Sequence, residues 1–362
     1  MSRKDLVIRK ISARAVSIPI RRPIVAGLKF TRWLAVIVDI KTEGDVRGRG
    51  YICPYLESAA AAHLQIINML GEAYEGRTVA PSKMFDESLS KISAIGQNGV
   101  ALNSLAALDV ALWDTFARAH EMPLAVALGS EVGSVKAYNS CGLWRIPIED
   151  LAEEAVELRD QYNFSAVKMR LGRETTDNDI AAASSVLNAV PNTIVMSDFN
   201  QSLTYSEAVN RMRALDDMGL CWFEEPLRYS ELAGCARLSE KMRTPIMLGE
   251  NFHGPRDMHE ALKANACDMV MPDLMRIGGV TGWMRAAAIA EQYSISVSSH
   301  LMPEISAHLM LATPNCGWLE WTDWLEPILK DPFSVHDGEV IVPNKPGVGF
   351  DWDEDALGRY AL

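Results

Sequence analysis

From Val135 onward, short apolar runs alternate with longer stretches in which apolar residues recur at helical spacing. The short runs are rich in β-branched and aromatic residues, which is typical of buried strands. Strands that are separated by helices run parallel, so their carboxyl ends share one edge of the sheet. This pattern predicts strands near 135–140, 164–171, 193–199, 220–224, 245–249, 267–272, 295–299 and 317–320, and helices near 149–161, 177–189, 205–217, 231–241, 256–264, 280–292 and 304–311.

Eight strands with helices between them are typical of a TIM-type barrel. A doubly wound sheet is the alternative, but no GxGxxG motif of the dinucleotide-binding kind follows a predicted strand. The glycine-rich stretch 276–282 lacks the Walker lysine, and we interpret it as a tight turn between a strand and a helix. The barrel is therefore the preferred prediction for this part of the chain.

The first third of the chain shows a different pattern, with strands first and helices after them. Residues 8–51 are predicted to form a small antiparallel sheet, and residues 57–120 are predicted to be helical, so residues 1–130 form an α+β domain. Residues 21–32, between the first two strands, carry four cations and are either a mobile lid or a solvated hairpin loop. Residues 131–325 then form the barrel, and the tail, 326–362, is predicted to pack back on the first domain.

Net charge and cysteine usage narrow the kind of partner and the compartment. The formal net charge is −12 and no basic stripe is present, which argues against nucleic acid as a partner. No uninterrupted apolar run is long enough to span a bilayer, and the first residues lack the apolar core of a secretory signal. The six cysteines are scattered without a CxxC pair, which indicates reduced thiols in a cytoplasmic protein.

Three acidic residues follow predicted barrel strands, namely Asp198, Glu224 and Glu250. Any one of them, taken alone, is best explained as a solvated surface charge. Because parallel strands end at one rim, however, the three carboxylates would gather there and repel one another, which raises their pKa values. A hard divalent cation that prefers oxygen ligands removes this repulsion, and Mg²⁺ fits best.

The predicted strand 164–171 carries two cations. Alternation along a strand places Lys168 and Arg170 on one face, while Val167, Met169 and Leu171 point toward the helices. Burying unpaired charge is costly, so two cations inside a barrel need a functional reason. Cations at an exposed edge are the alternative, but this fits poorly with the apolar neighbours.

Two further strand ends supply an acid–imidazole pair and another carboxyl group. Asp273 and His300 end neighbouring strands, so the carboxylate can hold the imidazole in one tautomer and raise its basicity. Glu320 ends the last strand between two tryptophans, and such apolar flanks raise the pKa of a carboxyl group. We therefore predict that Glu320 is a neutral hydrogen-bond donor, with a salt bridge to Arg170 or Lys168 as the alternative.

These residue types together suit abstraction of a proton α to a carboxylate, because the metal and the cations stabilise an enediolate while a side chain takes the proton. The most specific motifs are ALDVALWD (107–114), AVKMR (166–170), SDFNQS (197–202), WFEEP (222–226), GEN (249–251), MPDLMRIGGVTGW (271–283), SSHLMPEISAH (298–308), WLE (318–320) and PGVGF (346–350). With these motifs the chain resembles the enolase superfamily, and within it the mandelate racemase subgroup, over essentially its whole length.

The resemblance implies a capping α+β domain, a modified (β/α)₇β barrel, one essential Mg²⁺, a small carboxylate substrate and a homo-oligomer. By position it implies Asp198, Glu224 and Glu250 as the metal ligands, with Glu224 preferred over its neighbour Glu225. Asn200 matches a polar position on the metal side of the site, where it is also expected to bind the substrate.

The resemblance also assigns the groups around the substrate. Lys168 and Glu320 match groups that polarise the substrate carboxylate, and Asp273 with His300 matches the base dyad. Ser140 matches a polar position that binds the substrate, and residues 21–32 match a lid that helps set specificity.

The chain departs from the racemase at two places. Arg170 replaces the second lysine of the strand, and an arginine stays protonated, so it is a poor general base. The lid is basic where that of the racemase is apolar, which favours a polar or acidic substrate over an aryl one. We therefore expect a dehydratase that eliminates water from a polyhydroxy acid with His300 as its base. A racemase or epimerase with Arg170 as the second acid/base, and a non-catalytic barrel that only binds ligands, are the alternatives.

Overall fold

The computed structural model describes residues 6–26 and 28–362, and it begins with a three-stranded antiparallel sheet. The strands are β1 (Ile8–Ala26), β2 (Leu28–Thr42) and β3 (Arg47–Ile52), in the order β1-β2-β3. Four helices follow, α1 (Glu57–Glu72), α2 (Pro81–Ile92), α3 (Gly99–Ala119) and α4 (Leu124–Ala127). The predicted α+β arrangement of this capping domain is confirmed.

Glycines on β3 explain how closely α3 packs on the sheet. A Cβ atom on Gly50 would lie 2.5 Å from the carbonyl oxygen of Ala107, and one on Gly48 would lie 2.5 Å from that of Ala111. Real Cβ atoms do not approach a carbonyl oxygen so closely, so only glycine lets the helix backbone lie directly on the strand. The ALDVALWD motif is therefore a packing face of the capping domain.

The segment predicted as a loop, 21–32, is instead the end of a β-hairpin. β1 and β2 pair through Ile24 with Phe30 and Val25 with Lys29, after a register irregularity between Pro19 and Ile24. The loop prediction is wrong because the backbone of Ile24–Ala26 pairs with that of Leu28–Phe30, which extends both strands through this segment. Gly27, which the prediction placed in this lid, lies outside the described residues.

The second part of the chain is a barrel of eight parallel strands with seven helices between them, as predicted. Neighbouring strands pair in chain order from β4 to β10, β11 pairs with β4, and a bridge from Val297 to Cys316 closes the circle. The strands are β4 (Ser134–Asn139), β5 (Ala166–Arg170), β6 (Ile194–Asp198), β7 (Phe223–Glu224), β8 (Ile246–Leu248), β9 (Met269–Val270), β10 (Ser296–Val297) and β11 (Leu319–Trp321).

The helices of the barrel pack outside the strands. Thr204 and Glu207 form a capping box at the start of α7, which explains why this helix begins where it does. The helices are α5 (Ile148–Asp160), α6 (Thr176–Ala189), α7 (Tyr205–Leu215), α8 (Leu232–Ser239), α9 (Pro255–Lys263), α10 (Gly279–Gln292) and α11 (Pro303–Leu311).

Alternation along the barrel strands creates an apolar floor with a polar layer above it. The floor is a separate cluster of buried side chains inside the barrel, comprising Tyr138, Ala166, Met196, Trp222, Met247 and Met271. The residue two positions after most of these side chains points the same way, because side chains alternate across a strand. The polar layer consists of Ser140, Lys168, Asp198, Glu224 and Asp273.

The tail contacts both parts of the molecule. Strands β12 (Val335–His336) and β13 (Glu339–Ile341) form a hairpin that pairs with β4 of the barrel. Beyond helix α12 (Glu354–Arg359), the chain end runs along β1, where Ser17 N donates to Tyr360 O and Leu362 N to Ala15 O. The tail thus ties the barrel to the capping sheet.

Helix α3 is long and apolar enough to cross a membrane by length and composition alone, but most of it is buried inside the protein. It also carries the carboxylate that joins the two parts of the molecule. Asp109 accepts hydrogen bonds from the Thr281 amide (2.8 Å) and hydroxyl (2.7 Å) in the first turn of α10. Trp113 Nε1 donates to the same hydroxyl at 2.9 Å. The glycine-rich turn therefore serves docking, because a Cβ on Gly279 would lie 2.8 Å from Asp109 Oδ2.

We predict that Thr281→Val lowers the free energy of unfolding by about 1–3 kcal/mol, because Asp109 loses a donor and Trp113 loses an acceptor in a buried site. Thr281→Ser is the matched control, since it keeps the hydroxyl, and it should cost less. Urea unfolding of the three proteins measures the difference. A Val variant as stable as wild type would contradict this account of how the capping domain docks on the barrel.

Candidate active site

A cavity of about 290 Å³ opens at the carboxyl ends of the barrel strands, beneath the β1–β2 hairpin. Its barrel side is polar and its capping side is aromatic. This volume suits a small molecule. The polar lining includes Lys168, Arg170, Asp198, Asn200, Glu250, Arg276, His300 and Glu320, and the apolar lining includes Ile24, Phe30, Trp33, Tyr55, Trp144 and Trp324.

The three predicted metal-binding acids come together. Asp198, Glu224 and Glu250 each offer a carboxylate oxygen, and these oxygens all lie within 4.8 Å of one another. Burial and mutual repulsion raise the pKa of Asp198, and they raise that of Glu224 to about 8. Burial also opposes ionisation of Glu250, but the His300 imidazole outweighs it and lowers the Glu250 pKa. Clustered hard oxygen donors are the ligand set that Mg²⁺ prefers, so these residues could hold it.

Gly249 explains how Glu250 reaches the cluster. Gly249 has a φ of +145°. A Cβ at this position would lie 2.7 Å from the Met271 amide nitrogen. Glycine therefore allows β8 to turn against β9 and bring the next residue to the cavity. The GEN motif thus combines a backbone requirement with a candidate ligand.

Glu225 is buried beside the cluster but is oriented differently from Glu224. Its backbone has a φ of +39°, and Asn251 Nδ2 donates to both of its carboxyl oxygens at 2.9 and 2.8 Å. Burial and the charge of Glu250 raise its pKa well above the ordinary value for a glutamate. The geometry therefore groups Glu224, and not Glu225, with the other two acids.

Lys168 lies at the centre of the acidic cluster. Its Nζ is 2.9 Å from Glu224 Oε1, 2.9 Å from Glu320 Oε1 and 3.8 Å from Asp198 Oδ2. Burial alone would lower the lysine pKa, but Glu224 and Glu320 outweigh it and raise the pKa well above its usual value. Lys168 is therefore a fixed cation in this arrangement, and its burial is balanced by ion pairs.

Glu320 lies close to three cations, and this arrangement favours its ionised form over the predicted neutral hydrogen-bond donor. Burial raises its pKa, as the tryptophan neighbours suggested, but the cations Lys168, His300 and Arg170 outweigh burial and lower the pKa to about 2. Its oxygens accept hydrogen bonds from Ser140 Oγ (2.7 Å) and from the Leu301 amide (2.8 Å). The alternative, a salt bridge to Lys168, is what the structure shows.

The terminal guanidinium nitrogens of Arg170 are bound by protein groups of the barrel. Its Nη1 donates to the carbonyl oxygens of Ser140, Gly142 and Lys168, at 3.3, 2.8 and 3.3 Å. Its Nη2 donates to Ser140 Oγ at 2.6 Å, and its guanidinium lies 3.7 Å from the centroid of the Trp144 ring. Of its three guanidinium nitrogens, only Nε has no hydrogen-bond partner among the described residues, and it lies 3.9 Å from Asp198 Oδ2. The planar fork thus binds the barrel backbone.

Ser140 and Asn200 occupy different places. Ser140 is fully buried and does not line the cavity, so its hydroxyl bridges Arg170 and Glu320 where direct substrate contact was predicted. Asn200 does line the cavity. Its backbone and side-chain N–H groups donate to the two oxygens of Asp198 at 2.7 and 2.8 Å. Asn200 therefore fixes the orientation of a candidate metal ligand.

The predicted acid–imidazole pair is present. His300 Nδ1 lies 2.7 Å from Asp273 Oδ2, and a parallel bridge joins the two residues. Because the carboxylate accepts from Nδ1, the Nε2 atom is left for proton transfer, and it lies 3.1 Å from Glu250 Oε2. Burial lowers the imidazole pKa, but Glu250, Glu320 and the Asp273 hydrogen bond together raise it well above its usual value.

Sequence reasoning missed two polar residues of the site. Arg276 lines the cavity and donates from Nη1 to the Glu250 carbonyl oxygen at 2.9 Å and to Asn251 Oδ1. Asn251 in turn donates to Glu225 and Glu250. The sequence analysis interprets the stretch that begins at Arg276 only as a turn. The position of this cation, three residues after Asp273, was a signal that the turn faces the acids.

The four cations of the lid do not line the cavity. The positive charge of the lid therefore does not support the expectation of a polar or acidic substrate. Arg22 pairs with Glu154 at 3.3 Å and with Glu157 at 2.8 Å on α5. Arg32 donates to Ser17 Oγ at 2.7 Å. Among the described side chains of this hairpin, Ile24 and Phe30 line the cavity, together with Trp33 just beyond it.

A (β/α)₇β barrel with an α+β capping domain, and a rim that combines three clustered acids with an Asp–His pair, define an enzyme of the enolase superfamily. Residues 150–356 match the enolase C-terminal domain-like family. Residues 9–129 match the N-terminal domain of the mandelate racemase / muconate lactonizing enzyme family, and the chain belongs to this family.

Similar proteins include enzymes and magnesium-bound structures. L-talarate/galactarate dehydratase of Salmonella typhimurium is 29% identical over 335 residues, which cover 90% of this chain and 82% of the relative. An enolase from the alpha-proteobacterium bal199, crystallised with magnesium, is 43% identical with a TM-score of 0.97, over 98% of this chain and 99% of that one. An enolase from Bradyrhizobium, crystallised with magnesium and mandelic acid, is 33% identical with a TM-score of 0.94, over 98% of each chain.

We predict that Glu224→Gln weakens Mg²⁺ binding at least tenfold, because it removes one of three clustered anionic oxygens. Glu225→Gln is the matched control, since the pKa of Glu225 is already raised and a glutamine oxygen can still accept from Asn251. Isothermal titration calorimetry with MgCl₂ measures both affinities. Equal losses in the two variants would show that the assignment of Glu224 over Glu225 is wrong.

Proposed function

We propose that this enzyme abstracts the α-proton of a 2-hydroxy carboxylate and eliminates water from its β-carbon, acting as a dehydratase on a polyhydroxy monoacid or diacid. The observation that carries this proposal is the asymmetry of the cavity. At the end of β10, the His300 imidazole is oriented by the Asp273 carboxylate. On β5, three strands away around the barrel, the Arg170 guanidinium is bound to the barrel backbone. One base is sufficient for elimination, while racemisation needs a proton acceptor on each face of the substrate.

Asp198, Glu224 and Glu250 would hold Mg²⁺, which when bound supplies positive charge where the substrate carboxylate becomes an enediolate. Asn200 keeps Asp198 oriented through its two hydrogen bonds. Lys168 provides the second positive charge at the substrate carboxylate, and Glu320 holds its ammonium group in place at 2.9 Å. This role for Glu320 replaces the predicted donation of a proton or hydrogen bond.

His300 takes the C2 proton at Nε2 in its neutral form, in which Asp273 accepts the Nδ1 proton. The carboxylate charge that raises the imidazole pKa would be offset by Mg²⁺ held by Glu250. The electron pair of the broken C2–H bond then forms the C2–C3 double bond, the C3–O bond breaks, and the hydroxyl group leaves as water with a proton returned from the enzyme. The enol product becomes a 2-oxo-3-deoxy acid by proton transfer to C3. No electron is gained or lost overall, so the reaction needs no redox cofactor.

Racemisation is the second candidate, because the Bradyrhizobium relative is crystallised with mandelic acid. Arg170 would have to act as the base on the other substrate face. A guanidinium has a pKa above about 12 and no acceptor atom, so it cannot take a proton at neutral pH. The cytoplasmic location stays a prediction from cysteine usage, and the homo-oligomeric state stays a prediction of the family resemblance.

We predict that His300→Asn lowers exchange of the substrate α-proton by roughly 100-fold to 10,000-fold, the usual contribution of a general base, with an unchanged thermal unfolding profile. Asp273→Asn should lose less, because Asp273 orients the ring without transferring the proton. Proton NMR in D₂O with acid sugars measures the exchange. Retained exchange in the His300 variant would move the base to β5.

The wild-type enzyme in D₂O should exchange or dehydrate only one C2 configuration of a 2-hydroxy acid. Arg170→Lys should open slow exchange from the other face, because a lysine buried beside other cations can lose its proton near neutral pH. Chiral chromatography and NMR follow both enantiomers. Interconversion of both at comparable rates by wild type would refute the dehydratase proposal and require Arg170 to act as a base.

A further inference from the structure

The capping side of the cavity is a continuous aromatic wall built from four separate segments of the chain. The Trp33 and Trp324 ring centroids are 4.4 Å apart, and those of Trp324 and Trp144 are 6.5 Å apart. Tyr55 meets the edge of Trp33 at 5.6 Å, and Phe30 lies 6.4 Å from Tyr55. We call these five residues the aromatic wall. All five line the cavity, so a bound substrate contacts rings on this side.

The charges of the hairpin do not reach this wall. Arg22 and Arg32 are bound to α5 and to Ser17 respectively, and Arg21 and Lys29 are exposed. None of these four cations lines the cavity. A substrate group that extends from the acidic cluster to the capping domain would therefore meet no lid cation.

The cations that do line the cavity belong to its barrel side and already have partners. Lys168 pairs with Glu224 and Glu320. The Arg170 guanidinium lies against the Trp144 ring, but its terminal nitrogens donate to backbone carbonyls and to Ser140, and its Nε faces Asp198 Oδ2 at 3.9 Å. Arg276 donates to Glu250 O and Asn251 Oδ1, and the acids Asp273, Glu250 and Glu225 surround it. A second carboxylate placed against the aromatic wall would lose its hydration without gaining an ion pair, which is costly.

We infer that the substrate of this enzyme is a monocarboxylic acid whose end remote from the reacting carbons is uncharged and packs a C–H-rich or planar face on Trp33, Trp144 and Trp324. This inference rests on the proposed function and narrows it, from polyhydroxy acids in general to aldonic and deoxyaldonic acids and aryl-substituted 2-hydroxy acids. Dicarboxylic aldaric acids are excluded. Large aromatic surfaces bind such faces through burial and close contact, whereas the negative face of a ring does not stabilise a carboxylate.

A binding experiment that needs no turnover tests this inference. Hexanoate and adipate are a matched pair that differs only in the group at C6, a methyl or a carboxylate. Competition of each with mandelate for the Mg²⁺-loaded wild-type enzyme, followed by tryptophan fluorescence and calorimetry, should show hexanoate binding at least tenfold more tightly than adipate. Equal binding, or tighter binding of adipate, would overturn the inference.

Variants test whether the aromatic wall causes the preference. Trp324→Ala should reduce the hexanoate-to-adipate ratio at least fivefold, while Trp324→Phe, which keeps a ring, should retain most of it. Phe30→Ala provides a second test on the hairpin if the Trp324→Ala protein does not fold. Trp318→Phe is the control, because this tryptophan is partly buried outside the cavity and should leave the ratio unchanged. An unaltered ratio in folded Trp324→Ala and Phe30→Ala would refute the role of the wall.

Turnover separates this inference from the function on which it rests. Hexonic acids of one configuration that carry methyl, hydroxymethyl or carboxylate at C5 form a matched series for dehydration. We expect kcat/KM for the carboxylate member to be at least tenfold below the other two. Dehydration that favours the dicarboxylate would overturn the inference and leave the dehydratase proposal intact. The expected binding preference without exchange or dehydration of any acid would support the inference and refute the dehydratase proposal.

Discussion

Charge balance at the mouth of the barrel is the constraint on which the rest of this structure depends. Six carboxyl groups lie buried or nearly buried there, against three permanently positive side chains, Lys168, Arg170 and Arg276. Buried charges are tolerated only when they are paired, so burial together with this excess of acids explains the raised pKa values of Asp198, Glu224 and Glu225. The same excess makes the cluster suitable for a divalent cation. The acids are Asp198, Glu224, Glu225, Glu250, Asp273 and Glu320.

The barrel supplies the rigidity that this constraint requires. The polar layer lies two residues beyond an apolar floor on β5, β6 and β7, so packing below fixes the positions of the charges above. The carbonyl oxygens around Arg170 and the hydroxyl of Ser140 then orient the cations without using substrate contacts. Because the charged groups are held before any ligand arrives, little reorganisation accompanies charge development on a substrate.

The capping domain adds a surface of opposite character. Its hairpin, its docking through Asp109 to α10 and the tail along β1 bring aromatic side chains over the polar rim. Cations on the same hairpin are bound elsewhere, Arg22 by α5 and Arg32 by Ser17, while Ile24 and Phe30 line the cavity. The net charge of a segment is therefore a poor guide to which of its side chains a ligand meets.

The sequence by itself determined the barrel, its eight strand positions and the gathering of Asp198, Glu224, Glu250, Asp273 and His300 at one rim. Strand alternation is a local property of the chain, and the regular order of strand and helix implies parallel pairing. It did not determine the ionisation of Glu320, since the tryptophan neighbours visible in the sequence raise its pKa while the cations that lower it come from distant strands. Three other features were likewise decided only by tertiary structure. They are the binding of the Arg170 guanidinium to the barrel backbone, the position of Arg276 beside the acids, and the aromatic wall. Each depends on side chains that meet in space from segments far apart along the chain, and the hydrophobic pattern of a single segment carries no record of these contacts.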